Sequence, residues 1–153
     1  MITRCYLEIT NICNLNCFFC PKTERDKRRL TLDEFQTLTD RLRGRIKFLY
    51  FHLMGEPLCH PKLKEFLTLA GNAGFKVILT TNGTLLEKQQ AILLNAPALH
   101  KINISLHAFE ANDLAVPFSE YLRGGFDFGR AAEGAKLVVY RLWNNSGADE
   151  KNA

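Results

Sequence analysis

The sequence predicts an α/β fold in which parallel strands alternate with helices and curl into part of a TIM-like barrel. Short runs rich in β-branched and aromatic residues alternate along the chain with segments whose apolar residues recur at helical spacing. This alternation is typical of βαβ units, which have right-handed crossovers. The length of 153 residues, with 46% hydrophobic and 24% charged, suits one domain with a buried core.

The first half of the chain begins with a strand and a helix. Residues 5–10 (CYLEIT) form a short β-rich run. Residues 32–42 repeat apolar side chains at helical spacing; Thr31 is the candidate N-cap and Glu34 completes a capping box. Residues 46–53 (IKFLYFHL) are rich in aromatic residues and predict a second, buried strand.

The middle of the chain repeats this pattern. Residues 61–73 are amphipathic and predict a helix that Gly74 terminates. Residues 76–81 (KVILTT) predict the third strand, and the Asn-Gly pair at 82–83 predicts a turn. Residues 85–94 predict the next helix.

The last elements complete about five strand–helix units. Residues 101–107 (KINISLH) alternate strictly, so one face of this strand is apolar while Asn103, Ser105 and His107 share the other. The spacing of the apolar side chains at 118, 122 and 126 predicts a fourth helix, and residues 137–143 (LVVYRLW) predict a fifth strand. We expect the polar face of the fourth strand to point inward, because the apolar face should lie under helices.

The unusual residues of this chain follow the ends of the predicted strands. They are the cysteine-rich loop after strand one, Gly55-Glu56-Pro57 after strand two, Asn82-Gly83 after strand three, and Ser105 and His107 at strand four. In barrels of this class the active site lies at the carboxyl ends of the strands. The sequence therefore predicts one site at that edge of the sheet.

Three cysteines, Cys13, Cys17 and Cys20, give a C-x3-C-x2-C spacing. Three thiolates can hold a cubane iron–sulfur cluster and leave one iron open to another ligand. The alternative is a structural zinc site, whose fourth ligand would come from Cys59, His60 or His52. The chain has no signal-peptide pattern, which predicts a cytoplasmic protein with metal-binding thiols, and Cys5 is interpreted as a small core residue.

These motifs resemble those of the radical S-adenosylmethionine (radical SAM) enzymes. The cysteine loop follows the first strand, and Phe19 occupies the usual aromatic position before the third cysteine. Met54-Gly55-Glu56-Pro57 is similar to the G-G-E-P motif of that family, with Met54 at the first glycine. The segments TTNG (80–83) and ISLH (104–107) resemble the ends of its third and fourth strands.

The resemblance implies a function and a set of site residues. Cys13, Cys17 and Cys20 would bind a [4Fe-4S] cluster. SAM would bind the open iron and be cleaved reductively to a 5′-deoxyadenosyl radical, which would abstract hydrogen from an unknown substrate. The SAM-binding residues would be Phe19, Gly55, Glu56, Asn82, Ser105 and Arg141, with Glu56 accepting a hydrogen bond from the SAM ammonium. An iron–sulfur electron carrier or sensor without SAM turnover is the alternative.

The resemblance also bears on partners and domain organisation. It implies an electron donor such as a flavodoxin or ferredoxin, and the basic residues between 22 and 29 form either a solvated loop or a docking patch for it. No membrane-length apolar run and no nucleic-acid-binding module are found in the sequence. The family barrel usually has six units, so we expect residues 1–144 to be an incomplete, C-terminally truncated core and residues 145–153 to be a tail or the start of a missing segment.

Overall fold

The computed structural model describes residues 3–112 and 114–142. The sheet in this part of the chain has five parallel strands in sequential order, from β1 to β5. This confirms the predicted α/β fold. The strands are β1 (Arg4–Tyr6), β2 (Phe48–Phe51), β3 (Lys76–Thr81), β4 (Leu99–Ser105) and β5 (Leu137–Arg141).

Four α-helices connect the strands. Two short 3-10 turns follow β2 and β4, at Pro57–Cys59 and Leu106–Ala108. The first helix has the predicted bounds because its capping box forms: Thr31 Oγ1 accepts from the Glu34 N–H at 3.2 Å, and the Glu34 carboxylate accepts from the Thr31 N–H at 2.9 Å. The helices are α1 (Leu32–Leu42), α2 (Leu63–Asn72), α3 (Leu86–Leu94) and α4 (Phe118–Ala131).

The two faces of the sheet differ in polarity. Phe51, Leu79 and Ile102 lie side by side on β2, β3 and β4 and are fully buried in a core that α1–α4 share. Asn103 and Ser105 point to the opposite face, as predicted from the alternation in this strand. Burial of the apolar face therefore directs the polar side chains of β4 towards one common space.

Four predicted strands are shorter or shifted in the structure, and one of them is the fifth, because β5 ends at Arg141. β1 has only three residues, because the chain leaves the sheet after Tyr6 and Thr10 instead pairs antiparallel with Arg29. β2 likewise covers only the centre of the predicted run. β4 begins at Leu99 and ends at Ser105, so His107 lies in a 3-10 turn and not on the strand.

The fourth helix presents a different face from the one that its phenylalanines indicate. Its buried residues are Tyr121, Gly125 and Phe128, whereas Phe118 and Phe126 remain 46% and 41% exposed. The fifth strand ends at Arg141, and Trp143 lies outside the described residues together with the predicted 145–153 tail. None of the helices in the described segments is long and apolar enough to cross a membrane.

Candidate functional site

A cavity of about 870 Å³ opens at the carboxyl ends of the five strands. Its volume falls within the range typical of small-molecule and cofactor sites. Every residue that the sequence predicts for the site lines this one cavity: Cys13, Cys17, Phe19, Cys20, Gly55, Glu56, Asn82, Ser105 and Arg141. The fold thus brings together side chains that are up to 128 positions apart in the sequence (from 13 to 141).

The cysteine loop is organised by hydrogen bonds to its backbone and its sulfurs. The Cys20 N–H donates to Cys17 O at 3.2 Å, which closes a turn between the last two cysteines. The Leu15 N–H lies 3.4 Å from Cys13 Sγ, and Asn112 Nδ2 lies 3.1 Å from Cys17 Sγ. Donors of this kind stabilise thiolate sulfur, but at Cys13 burial outweighs the Leu15 hydrogen bond and raises the pKa of the thiol.

The three thiols of this loop can serve as ligands of an iron–sulfur cluster, and all three line the cavity. Across the described residues, no three His, Cys, Asp or Glu side chains are gathered so that they could hold one ion. His60 is also engaged elsewhere, because Nε2 contacts Leu30 O at 3.1 Å and Nδ1 accepts from the Lys62 N–H at 3.1 Å.

Glu56 is a buried carboxylate on the wall of the cavity, with only 2% of its surface exposed. Its two oxygens accept backbone hydrogen bonds, from Leu58 at 3.0 Å and from Asn82 at 2.7 Å. Burial nevertheless dominates and raises the pKa of Glu56 to about 7. No ion pair to Glu56 is found among the residues that the structure describes.

Gly55 is required by a close approach between two loops. Its φ is +77°, and a Cβ at this position would lie 2.4 Å from Thr10 O. The contact brings the loop after β2 against the segment that leads into the cysteine loop. The predicted approach of Gly55 to SAM remains a prediction, while the approach to Thr10 is a property of the fold itself.

Glu8 strengthens this junction and was missed by sequence reasoning. Its carboxylate accepts from the Met54 N–H at 3.1 Å and pairs with Arg25 Nη2 at 2.6 Å. Glu8 therefore joins the loop after β2 to the basic segment after the cysteines. The one sequence signal was a charged residue inside an otherwise β-rich run.

Asn82 makes several contacts that order the loop after β3. Its Nδ2 donates to Asn14 Oδ1 at 2.9 Å, and its Oδ1 accepts from the Thr84 N–H at 3.0 Å. The Tyr121 hydroxyl lies 2.7 Å from Asn82 O and 3.0 Å from Ser105 O, so it bridges the ends of β3 and β4. The side chain of Asn82 thus supports the cysteine loop, and its contact with SAM stays a prediction.

The far side of the cavity combines basic and aromatic groups. Ser105 and Arg141 are cross-strand neighbours on β4 and β5, and both line the cavity. The Phe19 ring packs against His107 with centroids 4.7 Å apart. Partial burial lowers the pKa of His52, and the positive charge of Arg141 lowers it further. This side of the cavity therefore offers a guanidinium and a hydroxyl for an anionic or polar group.

The chain is similar to characterised proteins over most of its length. The model of the Radical SAM superfamily matches residues 7–139. The tungsten-containing aldehyde ferredoxin oxidoreductase cofactor-modifying protein of Pyrococcus furiosus is 31% identical over 140 residues, which are 89% of this chain and 38% of that protein. The AdoMet-dependent heme synthase of Methanosarcina barkeri is 32% identical over 107 residues, which are 68% of this chain and 31% of that protein.

Solved structures share the fold at low sequence identity. BtrN in complex with AdoMet and 2-DOIA matches with a TM-score of 0.71 at 19% identity, over 92% of this chain and 57% of BtrN. SuiB of Streptococcus suis bound to S-adenosylmethionine matches with a TM-score of 0.72 at 16% identity, over 99% of this chain and 36% of SuiB. The chain spans 31–38% of the length of the two curated relatives described above.

Proposed function

The chain belongs to the radical SAM superfamily, and from this premise we propose that it is the core of a radical SAM enzyme. It binds a [4Fe-4S] cluster and SAM and serves in hydrogen abstraction from a substrate that is not yet identified. One observation carries the proposal. Three cysteines of the predicted spacing and a buried carboxylate line the same cavity, at the carboxyl ends of parallel strands.

Cys13, Cys17 and Cys20 are the proposed cluster ligands, and three ligands would leave one iron open to SAM. When bound, the cluster and SAM together supply reductive cleavage of the S–C5′ bond, giving methionine and a 5′-deoxyadenosyl radical. The protein's share of this chemistry is to place the ligands and to keep water from them.

Glu56 supplies the proposed contact for the positive charge of SAM. A carboxylate that is almost fully buried is costly when ionised, and a cationic ligand offsets this cost. Its backbone hydrogen bonds to Leu58 and Asn82 fix both oxygens, so the side chain needs little reorganisation when SAM binds. Gly55 positions this carboxylate by allowing the loop to pack on Thr10.

The remaining residues are proposed to bind the other parts of SAM or the substrate. Arg141 carries a positive charge that suits a carboxylate, and Ser105 beside it offers a hydroxyl. Phe19 offers an aromatic surface on which the adenine would pack. Asn82 is proposed to contact SAM through its side-chain amide. It also holds Glu56 and the cysteine loop in place through its hydrogen bonds to Glu56 and Asn14.

The proposed electron donor is an acidic protein such as a flavodoxin or ferredoxin. Arg25 and Arg28 already pair with Glu8 and Glu34, whereas Lys22 and Lys27 are exposed beside the cavity. Exposed cations next to a redox centre favour encounter with an acidic partner. We also propose residues 1–144 as the radical SAM core domain, because the family match and the five strands fall within this range.

Anaerobic reconstitution with iron and sulfide tests the proposal. We expect a brown chain with about four irons per chain, the stoichiometry of a cubane, and release of 5′-deoxyadenosine after addition of SAM and a strong reductant. Cys17→Ala should lose both the bound iron and the release of 5′-deoxyadenosine. Cys5→Ala is the matched control and should keep both, because Cys5 lies on β1 outside the cavity. Zinc in place of iron would overturn the proposal. A cluster without 5′-deoxyadenosine release would support the electron-carrier alternative.

A further inference from the structure

We propose that Asn112 is a positioning residue that holds the cysteine loop and raises the reduction potential of the cluster through a hydrogen bond to Cys17. This inference rests on the proposed function, because it concerns the cluster that Cys13, Cys17 and Cys20 would bind. Asn112 follows the 3-10 turn Leu106–Ala108, 95 positions from Cys17, and no sequence motif indicates it.

The side-chain amide of Asn112 makes three contacts in different directions. Nδ2 lies 2.7 Å from Ala108 O and 3.1 Å from Cys17 Sγ. Oδ1 accepts from the Asn16 N–H at 2.9 Å. One side chain therefore contacts the backbone before Cys17 and the sulfur of Cys17 itself.

The partners of Asn112 fix the orientation of its amide without reference to the sulfur. The Ala108 carbonyl can only accept and the Asn16 N–H can only donate. A flipped amide would face oxygen against oxygen and N–H against N–H. The group that points at Cys17 Sγ is therefore an N–H donor, with one hydrogen for Ala108 and the other for the sulfur.

A donor at this position changes the electrostatics of a ligand sulfur. Hydrogen bonds to cysteine sulfurs are among the factors that set the potential of iron–sulfur clusters. The positive end of the N–H dipole stabilises the more negative, reduced state, so the potential rises. The hydrogen bond from the Asn16 N–H to Asn112 holds the cysteine loop in the position that this contact with Cys17 requires.

Two substitutions separate these roles. Asn112→Asp keeps an oxygen for the Asn16 N–H but removes the donor to Cys17 and adds a negative charge, and Asn112→Ala removes all three contacts. Thr84→Val is the matched control, because Thr84 also contacts the cysteine loop through a side-chain hydrogen bond. Its Oγ1 accepts from Nδ2 of Asn14, which lies in that loop, at 2.8 Å. Among the contacts described, Thr84 has none with a cysteine sulfur.

The measurement is an anaerobic redox titration of each reconstituted full chain, followed by electron paramagnetic resonance. In both Asn112 variants we expect the ratio of reduced to oxidised cluster, at a fixed solution potential, to fall about tenfold. This corresponds to a reduction potential lower by about 59 mV for a one-electron couple. Thr84→Val should keep the wild-type potential.

The outcomes distinguish this inference from the proposed function. A wild-type chain that takes up no cluster overturns the proposed function, and the claim about the potential falls with it. A wild-type chain with a cluster, together with Asn112 variants of unchanged potential, overturns the inference alone. Lower cluster yield at unchanged potential would also overturn it, since this result is expected of a residue that only stabilises the loop.

Discussion

Glu56 accepts a 2.7 Å hydrogen bond from the backbone N–H of Asn82, which fastens the loop after β2 to the loop after β3. The Glu56 N–H in turn donates to Ile12 O at 2.9 Å, at the start of the cysteine loop. A single residue therefore joins three strand ends. Because its carboxylate is buried, the charge of this residue should govern both the stability of the chain and its affinity for a cationic ligand.

The first prediction concerns stability against pH. Burial raises the pKa of Glu56 to about 7 in the folded chain, so between the ordinary value of 4.5 and about pH 7 the folded state holds this proton more tightly than the unfolded state does. The contribution of this group to the free energy of unfolding should be greatest below pH 4.5 and fall as pH rises to about 7, by at most about 1.4 kcal/mol per pH unit. Urea unfolding of the cluster-free chain at several pH values measures this slope.

Glu56→Gln should flatten that slope, because the amide does not titrate in this range. Glu24→Gln is the matched control, since it removes the same charge from an exposed position. The control should keep the wild-type slope. Equal slopes for Glu56→Gln and the wild-type chain would show that Glu56 is not the group responsible.

The second prediction concerns SAM binding and follows from the proposed role of Glu56. The N–H groups of the SAM amine should donate to the ionised carboxylate, so affinity should weaken below about pH 7, by at most about tenfold per pH unit. Glu56→Gln should bind SAM about tenfold more weakly at pH 8 and lose this pH dependence. Anaerobic equilibrium dialysis with labelled SAM on the reconstituted chain measures both effects. Unchanged affinity in Glu56→Gln would remove this carboxylate from the proposed SAM contacts.

The elements that the sequence predicted best are those with local signals. The helix α1 has the predicted bounds because a capping box defines its start. The strand β3 also has the predicted bounds, because a turn follows it directly. The first strand was predicted too long, because residues 7–10 carry a β pattern that forms a bridge with Arg29 and not the sheet. Local pattern determines the type of an element, whereas its pairing partner depends on the rest of the fold.

The predicted site residues converge because their motifs lie at strand ends, which parallel topology brings to one edge. Glu8 and Asn112 were missed for a physical reason. Their partners Met54 and Cys17 lie 46 and 95 positions away, and nothing in the local sequence specifies such distant contacts. Motifs thus identified residues that line the cavity, while the residues that support them emerged from three-dimensional contacts.

The third prediction tests the capping box of α1. Thr31→Ala removes the side-chain acceptor for the Glu34 N–H and should lower the free energy of unfolding by about 1 kcal/mol. Thr37→Ala is the same chemical change at an exposed position within the helix and should be neutral or slightly stabilising. Chemical denaturation of both variants checks this. Equal losses would assign the effect to something other than the cap.

The fourth prediction concerns the packing of β5 on α4. A Cβ at Gly129 would lie 2.0 Å from Tyr140 Oη, and this hydroxyl itself lies 3.3 Å from Gly125 O. Gly129→Ala should therefore displace the Tyr140 side chain, so the substitution should not give the ordinary stabilisation of glycine to alanine in a helix. Thermal and chemical denaturation of the cluster-free chain measure the change.

Gly124 is the matched control for this prediction, because it lies in the same helix and a Cβ there would meet nothing within 4 Å. Gly124→Ala should stabilise the chain by about 0.5–1 kcal/mol, the ordinary gain for this substitution in a helix. Tyr140→Phe removes the clashing oxygen, so Gly129→Ala should cost clearly less in that background, although Cζ would still be 3.3 Å away. If Gly129→Ala were as stabilising as Gly124→Ala, the Tyr140 ring would not be held against α4.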